Sequence, residues 1–217
     1  MAVETPRPAF VPNPAVRRLS YYLRQLESYQ KKGRRTVSSK QLGVALGYTD
    51  AQVRKDLAYF GQFGHPGIGY KVDELSSHIR QIIGTDKTWG TILVGAGNLG
   101  RALLAYAGFE SKGFRIVAVF DSDERKIGQS YGSHHIRPTS DIRLYVQEHR
   151  ARLAILAVPA DVAQDVADDL VNAGIQGILN FAPVALVVPP YVALSSVDVA
   201  IQLEQLAFHL HSARKKA

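Results

Sequence analysis

The sequence predicts an α/β protein with an N-terminal winged helix-turn-helix domain followed by a Rossmann-like, doubly wound parallel sheet. Three observations support this prediction. Residues 13–84 contain short amphipathic helical segments, joined by a tight glycine turn and followed by a glycine-rich hairpin pattern. From Trp89 onward, buried strands alternate with helices, as they do in parallel sheets. A G-x-G-x-x-G run at residues 95–100 directly follows the first of these strands.

The composition is that of a globular protein and excludes several classes. The chain has 217 residues, of which 46% are hydrophobic and 21% charged, enough for two small domains. No run approaches the ~18 consecutive apolar residues of a membrane span, and the N-terminus lacks the apolar core of a secretory signal. The absence of cysteine excludes disulfides, thiolate nucleophiles and thiolate metal sites. We therefore expect a cytoplasmic protein with no membrane partner.

The net charge of +7 is confined to the first two-fifths of the chain. Residues 1–84 hold 13 Lys and Arg against 6 Asp and Glu, whereas residues 85–217 hold 13 of each. A basic module joined to a neutral one indicates that the first half binds a polyanion. The alternative is a basic face that only maintains solubility.

The N-terminal domain is predicted over residues 13–84, after a flexible arm formed by residues 1–12. Asn13 is expected to cap the first helix, with Pro14 in its first turn and Gly33 after its last turn. Leucines at helical spacing give this helix one apolar face.

The second and third helices predict a helix-turn-helix motif. A short helix is expected between the caps Ser38 and Ser39 and the terminating Gly47. After a two-residue turn, Thr49 is expected to cap a third helix over residues 50–60. The glycine-rich residues 61–70 predict a hairpin, which at this position is a wing. A fourth helix is predicted over residues 73–83, and the domain ends at residue 84.

The second domain, residues 85–197, is predicted to be a doubly wound parallel sheet. The predicted strands are residues 91–94, 116–120, 153–158 and 178–179. Gly95 is predicted to begin a turn into a helix that runs through Tyr106, and two further helices are predicted over residues 141–150 and 161–173.

The last segment, residues 198–217, is predicted to be helical up to residue 214. It is apolar on more than one side and must therefore be covered on several faces. Its large apolar residues are Val199, Ile201, Leu203, Leu206, Phe208 and Leu210.

The glycine run predicts a dinucleotide site, because it follows a buried strand and opens a helix. Glycines permit the tight turn and the close approach of a pyrophosphate, and the helix N-terminus supplies amide donors. Asp121 ends the next strand 21 residues beyond Gly100. A carboxylate there accepts hydrogen bonds from ribose hydroxyls and repels a 2′-phosphate, which favours NAD(H) over NADP(H). The candidate cofactor-binding residues in the turn are Gly95, Ala96, Gly97, Asn98, Leu99 and Gly100.

The third helix carries a candidate DNA-reading face. Val53 and Leu57 anchor its inner side, so Gln52, Arg54 and Lys55 are predicted to point outward. These residue types suit base edges and phosphates, although a solvated helix face is the alternative. Further candidate DNA contacts are Arg34, Arg35, Ser38, Ser39, Lys40 and Tyr59, with Lys31 and Lys32 nearby in the sequence.

The remaining polar residues predict neither catalysis nor metal binding. The histidine pairs at residues 134–135 and 209–211 have no acidic or cysteine partners at ligand spacing. None of the tyrosines is followed four residues later by lysine, which excludes one common dehydrogenase pair. We therefore expect a protein that is not an enzyme.

The chain resembles the Rex family of bacterial redox-sensing transcriptional repressors over residues 15–211. The motifs that carry the resemblance are QVRKDL-x-YFG at 52–61, G-x-G-Y at 67–70, V-G-x-G-x-L-G at 94–100 and G-I-L-N-F-A-P at 177–183. The resemblance implies a homodimer whose C-terminal helix is domain-swapped onto the partner. It also implies a repressor that binds inverted-repeat operator DNA, senses the NADH/NAD⁺ ratio and is released by NADH.

The resemblance also assigns individual residues. Arg54 and Lys55 match the base- and phosphate-contacting pair, and the glycines of the turn with Asp121 match the dinucleotide site. A switch network that links the first helix to the nicotinamide site corresponds to Arg24, Tyr106 and Asp198, and Tyr106 also belongs to the cofactor site. The chain departs from the family in residues 1–12, and at Val199, where an aromatic residue can pack beside the nicotinamide.

Two other functions stay open at this point. The first is a small NAD-dependent oxidoreductase with an appended basic module, which the missing acid–base residue and substrate domain argue against. The second is a module that binds coenzyme A, whose fold can carry a similar glycine turn. Asp121 argues against the second.

Overall fold

The structure, a computed structural model, describes residues 11–64 and 67–214. The chain divides between Lys87 and Thr88 into two compact units. The first is mostly helical and the second is built on a seven-stranded sheet. Most of the predicted arm, together with His65 and Pro66 of the predicted wing, lies outside the described residues.

The first unit folds around its four helices. Its elements are α1 (Asn13–Lys31), β1 (Thr36–Val37), α2 (Ser39–Leu46), α3 (Asp50–Ala58), β2 (Tyr70–Lys71) and α4 (Val72–Ile83). The helices contribute one apolar face each to a common core, as their spacing predicts. This core includes Leu19, Tyr22, Leu23, Leu26, Leu42, Val53, Leu57, Val72, Leu75 and Ile79.

Side-chain caps determine the turn between α2 and α3. Ser38 and Gln41 form a capping box at the start of α2, and Gly47 ends that helix in the left-handed conformation, at φ 73°. At the start of α3, the side chain of Thr49 accepts a hydrogen bond from the amide of Gln52. These contacts confirm the predicted helix-turn-helix.

Two predicted helix boundaries in this unit are wrong. Asn13 is the first residue of α1 rather than its cap, because the extended residue before it is Pro12, which has no capping side chain. α3 ends at Ala58 rather than at residue 60. Its last turn tightens, since the amide of Phe60 donates to the carbonyl of Leu57, three residues back.

The strands of the wing pair differently from the prediction, which placed a hairpin within residues 61–70. β2 pairs antiparallel with β1, with Tyr70 opposite Val37, and among the described residues no strand forms between Gly61 and Gly69. A Cβ on Gly64 would lie 2.5 Å from the carbonyl oxygen of Gly69, so this loop folds closely back on itself. The strand before α2 takes the place of the predicted first hairpin strand.

A buried carboxylate fixes α3 to α1. Asp56 is fully buried and accepts two hydrogen bonds from Arg18, from Nε at 2.5 Å and from Nη2 at 2.7 Å. The hydroxyl of Tyr22 donates to the same carboxylate at 2.7 Å, and the amide of Gln52 donates at 2.8 Å. Burial alone would raise the pKa of Asp56, but hydrogen bonds from Arg18, Tyr22 and Gln52 outweigh it and lower that pKa. The charge is therefore fully satisfied and holds α3 in one orientation.

The second unit is a three-layer α/β structure followed by a helix. Its elements are β3 (Trp89–Val94), α5 (Asn98–Leu104), β4 (Phe114–Asp121), β5 (Ser130–Tyr131), β6 (His134–Pro138), α6 (Ile142–His149), β7 (Leu153–Leu156), α7 (Ala163–Ala173), β8 (Gly177–Asn180), β9 (Ala193–Ser196) and α8 (Val199–Arg214).

The strand order is β5-β6-β4-β3-β7-β8-β9, and all pairs are parallel except β5 with β6. From β3 the sheet is built outward in both directions, as in a doubly wound fold. Ligands of such sheets bind outside the carboxyl ends of the strands, where the order reverses. Here that position lies between the ends of β3 and β7.

Alternation along β3 divides the core between the two faces of the sheet. Ile92 and Val94 pack in a cluster with residues of α6 and α7, whereas Leu93 packs with Val119 and Ile155 on the other face. A strand buried on both faces reads as a continuous apolar run, which is why β3 is predicted correctly.

The predicted sheet lacks three strands that the structure contains, β5, β6 and β9. β6 has only Ile136 buried, and β5 and β9 have no buried residue, so none of the three carries a buried apolar run. The first helix of this unit is also shorter than predicted. It ends at Leu104 instead of continuing through Tyr106, whose amide bonds the carbonyl of Leu103 in a tight turn.

α8 is exposed along its length, as far as its side chains are described. Its large apolar side chains are between 47% and 71% exposed and lie on all sides of the helix. An uncovered helix of this kind is an unfavourable surface in water.

We predict that Asp56→Asn lowers the free energy of unfolding by about 3 kcal/mol at pH 7, because it leaves the guanidinium of Arg18 without a counter-charge. The value is at the low end for buried pairs, since the side chain of Arg18 is 21% exposed. Because the pKa of Asp56 is lowered by folding, its stabilising contribution is present above the carboxyl's unfolded pKa and is lost as the pH falls through the folded pKa.

Denaturant unfolding from pH 7 down to pH 3 measures both effects. The matched control is Asp50→Asn, which removes the exposed pair between Asp50 and Arg54 on the same helix and should change stability far less. Equal losses in the two variants would show that the buried pair contributes no more to stability than the exposed one.

Candidate functional site

The turn after β3 has no space for side chains at two of its glycines. Gly95 has a φ of 99°, and a Cβ there would overlap the carbonyl oxygen of Ala157, which follows β7. A Cβ on Gly100 would overlap the carbonyl oxygen of Gly95. These two glycines allow the turn and the packing of α5 on β3, whatever binds there.

Gly97 differs from its neighbours. Its backbone is extended, with φ −76° and ψ −167°, a conformation open to any residue. A Cβ on Gly97 would meet no atom within 4 Å. The space that glycine leaves at this position is therefore not used by the protein and is available to a ligand.

Asp121 lies beside this turn, at the carboxyl end of β4. Its Oδ2 accepts a hydrogen bond from the amide of Ala96 at 2.7 Å, and its Oδ1 accepts one from the amide of Asp123 at 2.9 Å. Lys126 Nζ lies 3.0 Å from Oδ2. Burial opposes ionisation, but these donors outweigh it and lower the pKa of Asp121. An ionised carboxylate thus borders the open space at Gly97.

Lys126 is a site residue that the sequence prediction missed. The sequence prediction names no cation at this site. The turn after β4 brings Lys126 back to Asp121, since the amide of Lys126 donates to the carbonyl of Asp123. A basic residue five positions after the strand end was the available signal.

The loop after β8 forms another border of the sheet's carboxyl edge and is held by two amide side chains. Asn180 is fully buried, and its Nδ2 donates to the carbonyls of Ala182 and Val184 while its Oδ1 accepts from the amide of Ala182. Gln164 of α7 exchanges two hydrogen bonds of 2.9 Å with the backbone of Val187. The motif at 177–183 therefore has a structural role that its apolar residues did not reveal.

The three residues of the predicted switch network have different surroundings. Tyr106 is 57% exposed, and its ring meets Phe109 edge-on at 5.1 Å. Arg24 is exposed and has no hydrogen bond or ion pair to any described residue. The carboxylate of Asp198 accepts hydrogen bonds from the amides of Ala200 and Ile201, at 2.9 and 3.2 Å. Asp198 therefore caps α8.

The candidate DNA-reading face of α3 is only partly as predicted. Lys55 is exposed, with no partner among the described residues, and Arg54 is exposed but bonded to Asp50 at 2.7 Å and to Ser39 at 3.1 Å. Gln52, predicted to point outward, is half-buried and donates its amide to Asp56. The outward-facing pair is therefore Arg54 and Lys55.

Four of the other candidate DNA contacts border two clefts of the first unit. Ser38, Ser39 and Arg54 border a cleft of about 620 Å³ between α3 and the loop before β2. Arg34 and Lys40 line a second cleft of about 340 Å³ beside Tyr29. Of the remaining candidates, Arg35 is exposed and Tyr59 half-buried.

The sequence contains a G-x-S-x-G run at residues 128–132, so an expectation that this nucleophile motif is absent would be wrong. Its Ser130 lies in the β5–β6 hairpin, 3.2 Å from His135, and not at the strand-to-helix turn of a hydrolase nucleophile. Among the described residues, no group of three or more His, Asp and Glu is placed to hold a metal ion. None of the described helices is long and apolar enough to cross a membrane.

Comparisons with protein-family models match the two halves of the chain separately. The model "Putative DNA-binding protein N-terminus" matches residues 10–58, and the model "CoA binding domain" matches residues 86–184.

Relatives match nearly the whole chain. A redox-sensing transcriptional repressor Rex of Carboxydothermus hydrogenoformans is 50% identical over 200 residues, which cover 92% of this chain and 96% of that protein. The protein of the same name from Chloroflexus aggregans is 45% identical over 199 residues, covering 92% and 94%.

Solved structures match equally completely. The crystal structure of RSP in complex with beta-NAD⁺ and operator DNA has a TM-score of 0.91 at 37% identity, covering 95% of each chain. RSP in complex with beta-NADH has a TM-score of 0.85 at 35% identity, covering 95% of this chain and 97% of the other. RSP is described as a Rex-family repressor. The likeness confirms the predicted winged-helix and Rossmann-like fold class.

We predict that Gly95→Ala and Gly97→Ala have different effects on stability. Alanine at Gly95 combines an unfavourable φ with a backbone overlap and should lower the free energy of unfolding by about 1–3 kcal/mol or more. Alanine at Gly97 meets neither obstacle and should leave stability within about 0.5 kcal/mol of the wild type. Denaturant unfolding of the full chain measures both, and a similar loss at Gly97 would show that the open space does not exist.

Proposed function

The chain belongs to the Rex family of redox-sensing transcriptional repressors, and on this premise we propose how its two units perform that function. The first unit binds operator DNA through Arg54 and Lys55, and the second binds NADH or NAD⁺ at the glycine turn beside Asp121. NADH binding releases the DNA. The observation that carries this proposal is the open space at Gly97 next to an ionised carboxylate, at the sheet position where dinucleotides bind.

The residues of the second unit fit a dinucleotide. Gly97 leaves room for the pyrophosphate at the start of α5, and Asp121 supplies an acceptor for ribose hydroxyls. NADH and NAD⁺ differ by one hydride and one positive charge at the nicotinamide, so the groups that distinguish them must lie near that ring. In this chain, those are proposed to include Tyr106. The relatives crystallised with beta-NAD⁺ and beta-NADH support this cofactor over coenzyme A.

The charge and the exposed side chains of the first unit suit the binding of double-stranded DNA. The excess positive charge lies in this part of the chain, and Lys55 and Arg54 project from the helix that reads bases in a helix-turn-helix. The buried pair between Arg18 and Asp56 fixes that helix against α1, so its exposed side chains keep a constant orientation. The relative crystallised with operator DNA supports this role.

We place two copies of the chain on the operator. α8 exposes apolar side chains on all sides, which a partner subunit would cover through the helix exchange that the family resemblance implies. A dimer reads two half-sites about one helical turn apart or a multiple of it, so a modest rotation misplaces one recognition helix. A repressor acts where the chromosome lies, and we therefore propose a cytoplasmic location.

The relatives are named as transcriptional repressors and not as enzymes, so the oxidoreductase alternative is set aside. A dehydrogenase would also need an acid–base residue at the dinucleotide site, and the sequence predicts none.

The experiment that tests the function is an operator-binding titration of the full chain with NADH, NAD⁺, NADPH and coenzyme A in parallel. We expect NADH to weaken operator binding at least tenfold, which requires about 1.4 kcal/mol of coupling, and the other three ligands to have much less effect. Coupling is reciprocal, so operator DNA should weaken NADH binding by the same factor.

The matched control is Gly97→Ala, which should fold and bind operator normally but lose the response, because the methyl group fills the space for the pyrophosphate. Equal effects of NADH and NAD⁺ on operator affinity would contradict redox sensing. Release by coenzyme A alone would assign the site to that ligand.

We further predict that Asp198 acts through its charge and not only as a cap of α8. Asp198→Asn keeps an oxygen that can accept from the amides of Ala200 and Ile201, whereas Asp198→Ala removes it. Both variants should bind NADH within about twofold of the wild type. Both should reduce the change in operator affinity caused by NADH by at least about threefold. If Asp198→Asn keeps the full response and only Asp198→Ala loses it, the residue serves the helix alone.

A further inference from the structure

Lys126 is bonded to the carboxylate of Asp121, the proposed acceptor of a ribose. Its ammonium lies 3.0 Å from Asp121 Oδ2 and 3.8 Å from Asp123 Oδ2, and its side chain is 29% exposed. The side chain of Asp121 is only 9% exposed, so access to its oxygens is limited. A lysine in this place is therefore part of the cofactor site even though no sequence motif includes it.

The acceptor capacity of Asp121 shows why the position matters. An ionised carboxylate accepts at about four lone-pair positions. The amides of Ala96 and Asp123 take two of these, one on each oxygen, and Lys126 takes a third. One position remains, whereas a ribose diol donates two hydrogen bonds. The diol can bind in the usual way only if Lys126 leaves.

Lys126 can leave without exposing an unsatisfied charge. The two backbone donors stay with Asp121, and Asp123 keeps its pair with Arg125, whose Nε lies 2.9 Å from Oδ1. The lysine side chain is already partly in solvent and has three rotatable donors. Its ammonium would then lie close to the ribose 2′ position, where NADPH carries a phosphate.

We propose that Lys126 is a specificity-determining residue: it acts as an internal competitor for the ribose acceptor Asp121 and, once displaced, as a partner for a 2′-phosphate. This inference rests on the proposed dinucleotide site. Lys126 lowers the affinity for NADH and reduces the preference for NADH over NADPH that Asp121 alone would give. This effect on cofactor preference comes from the turn after β4 and does not follow from the glycine motif.

The test is the affinity of the full chain for NADH and NADPH, measured by calorimetry for the wild type and for Lys126→Met. We expect Lys126→Met to bind NADH about threefold to tenfold more tightly, because no competitor occupies the carboxylate. NADPH should bind no better than to the wild type, so the preference for NADH should rise by at least threefold. Lys126→Arg keeps a cation and should preserve the wild-type preference.

The control is Arg125→Met, which removes a neighbouring cation that pairs with Asp123 and is 89% exposed. It should change neither affinity by more than about twofold. If Lys126→Met weakens both cofactors equally, or leaves the preference unchanged, the inference is overturned while the dinucleotide site stands. If the wild type binds neither cofactor, the proposed function itself fails. Thermal unfolding of each variant without cofactor confirms that the comparison is made on folded protein.

Discussion

The carboxylate of Asp121 connects the parts of the second unit on which its site depends. It joins the end of β4 to the turn after β3, because the amide of Ala96 donates to it. The backbone of that turn is held in place, because Gly95 lies against the backbone after β7 and Gly100 lies against Gly95. The carboxyl edge of the sheet is thus shaped here by close contacts among β4, β3 and the segment after β7. Of the three glycines in the turn, only Gly97 leaves space for a ligand.

The buried carboxylate of the first unit, Asp56, has a different set of hydrogen bonds. All four acceptor positions of Asp56 are taken, two by Arg18 and one each by Tyr22 and Gln52. Such a group can fix α3 but has no acceptor position left for a ligand. Asp121 keeps one free position and another held by a lysine that can move. The two carboxylates therefore differ in their hydrogen-bond donors. All donors to Asp56 belong to its fixed surroundings, whereas one donor to Asp121 can move away.

Much of this could be predicted from the sequence, because local chemistry decides it. The caps Ser38 and Thr49, the apolar run of β3 and the glycine turn are all signalled within a few residues. What could not be predicted depends on distant partners. β9 has no buried residue and is held by its pairing with β8. The wing strand pairs with β1, more than thirty residues earlier. Gln52 turns inward because Asp56 lies one helical turn later and is already anchored by α1, and Lys126 reaches Asp121 only through the turn after β4.

The two units have separate cores, in which no described residue is shared. This separation has an evolutionary consequence. Substitutions on the exposed face of α3 can follow drift in the target sequence of a regulated gene without disturbing the packing around the glycine turn. The set of genes under control can therefore change between lineages while the sensing half is inherited intact. The converse also holds, so that selection for a different metabolic threshold can act on the turn after β4 without altering which promoters are read.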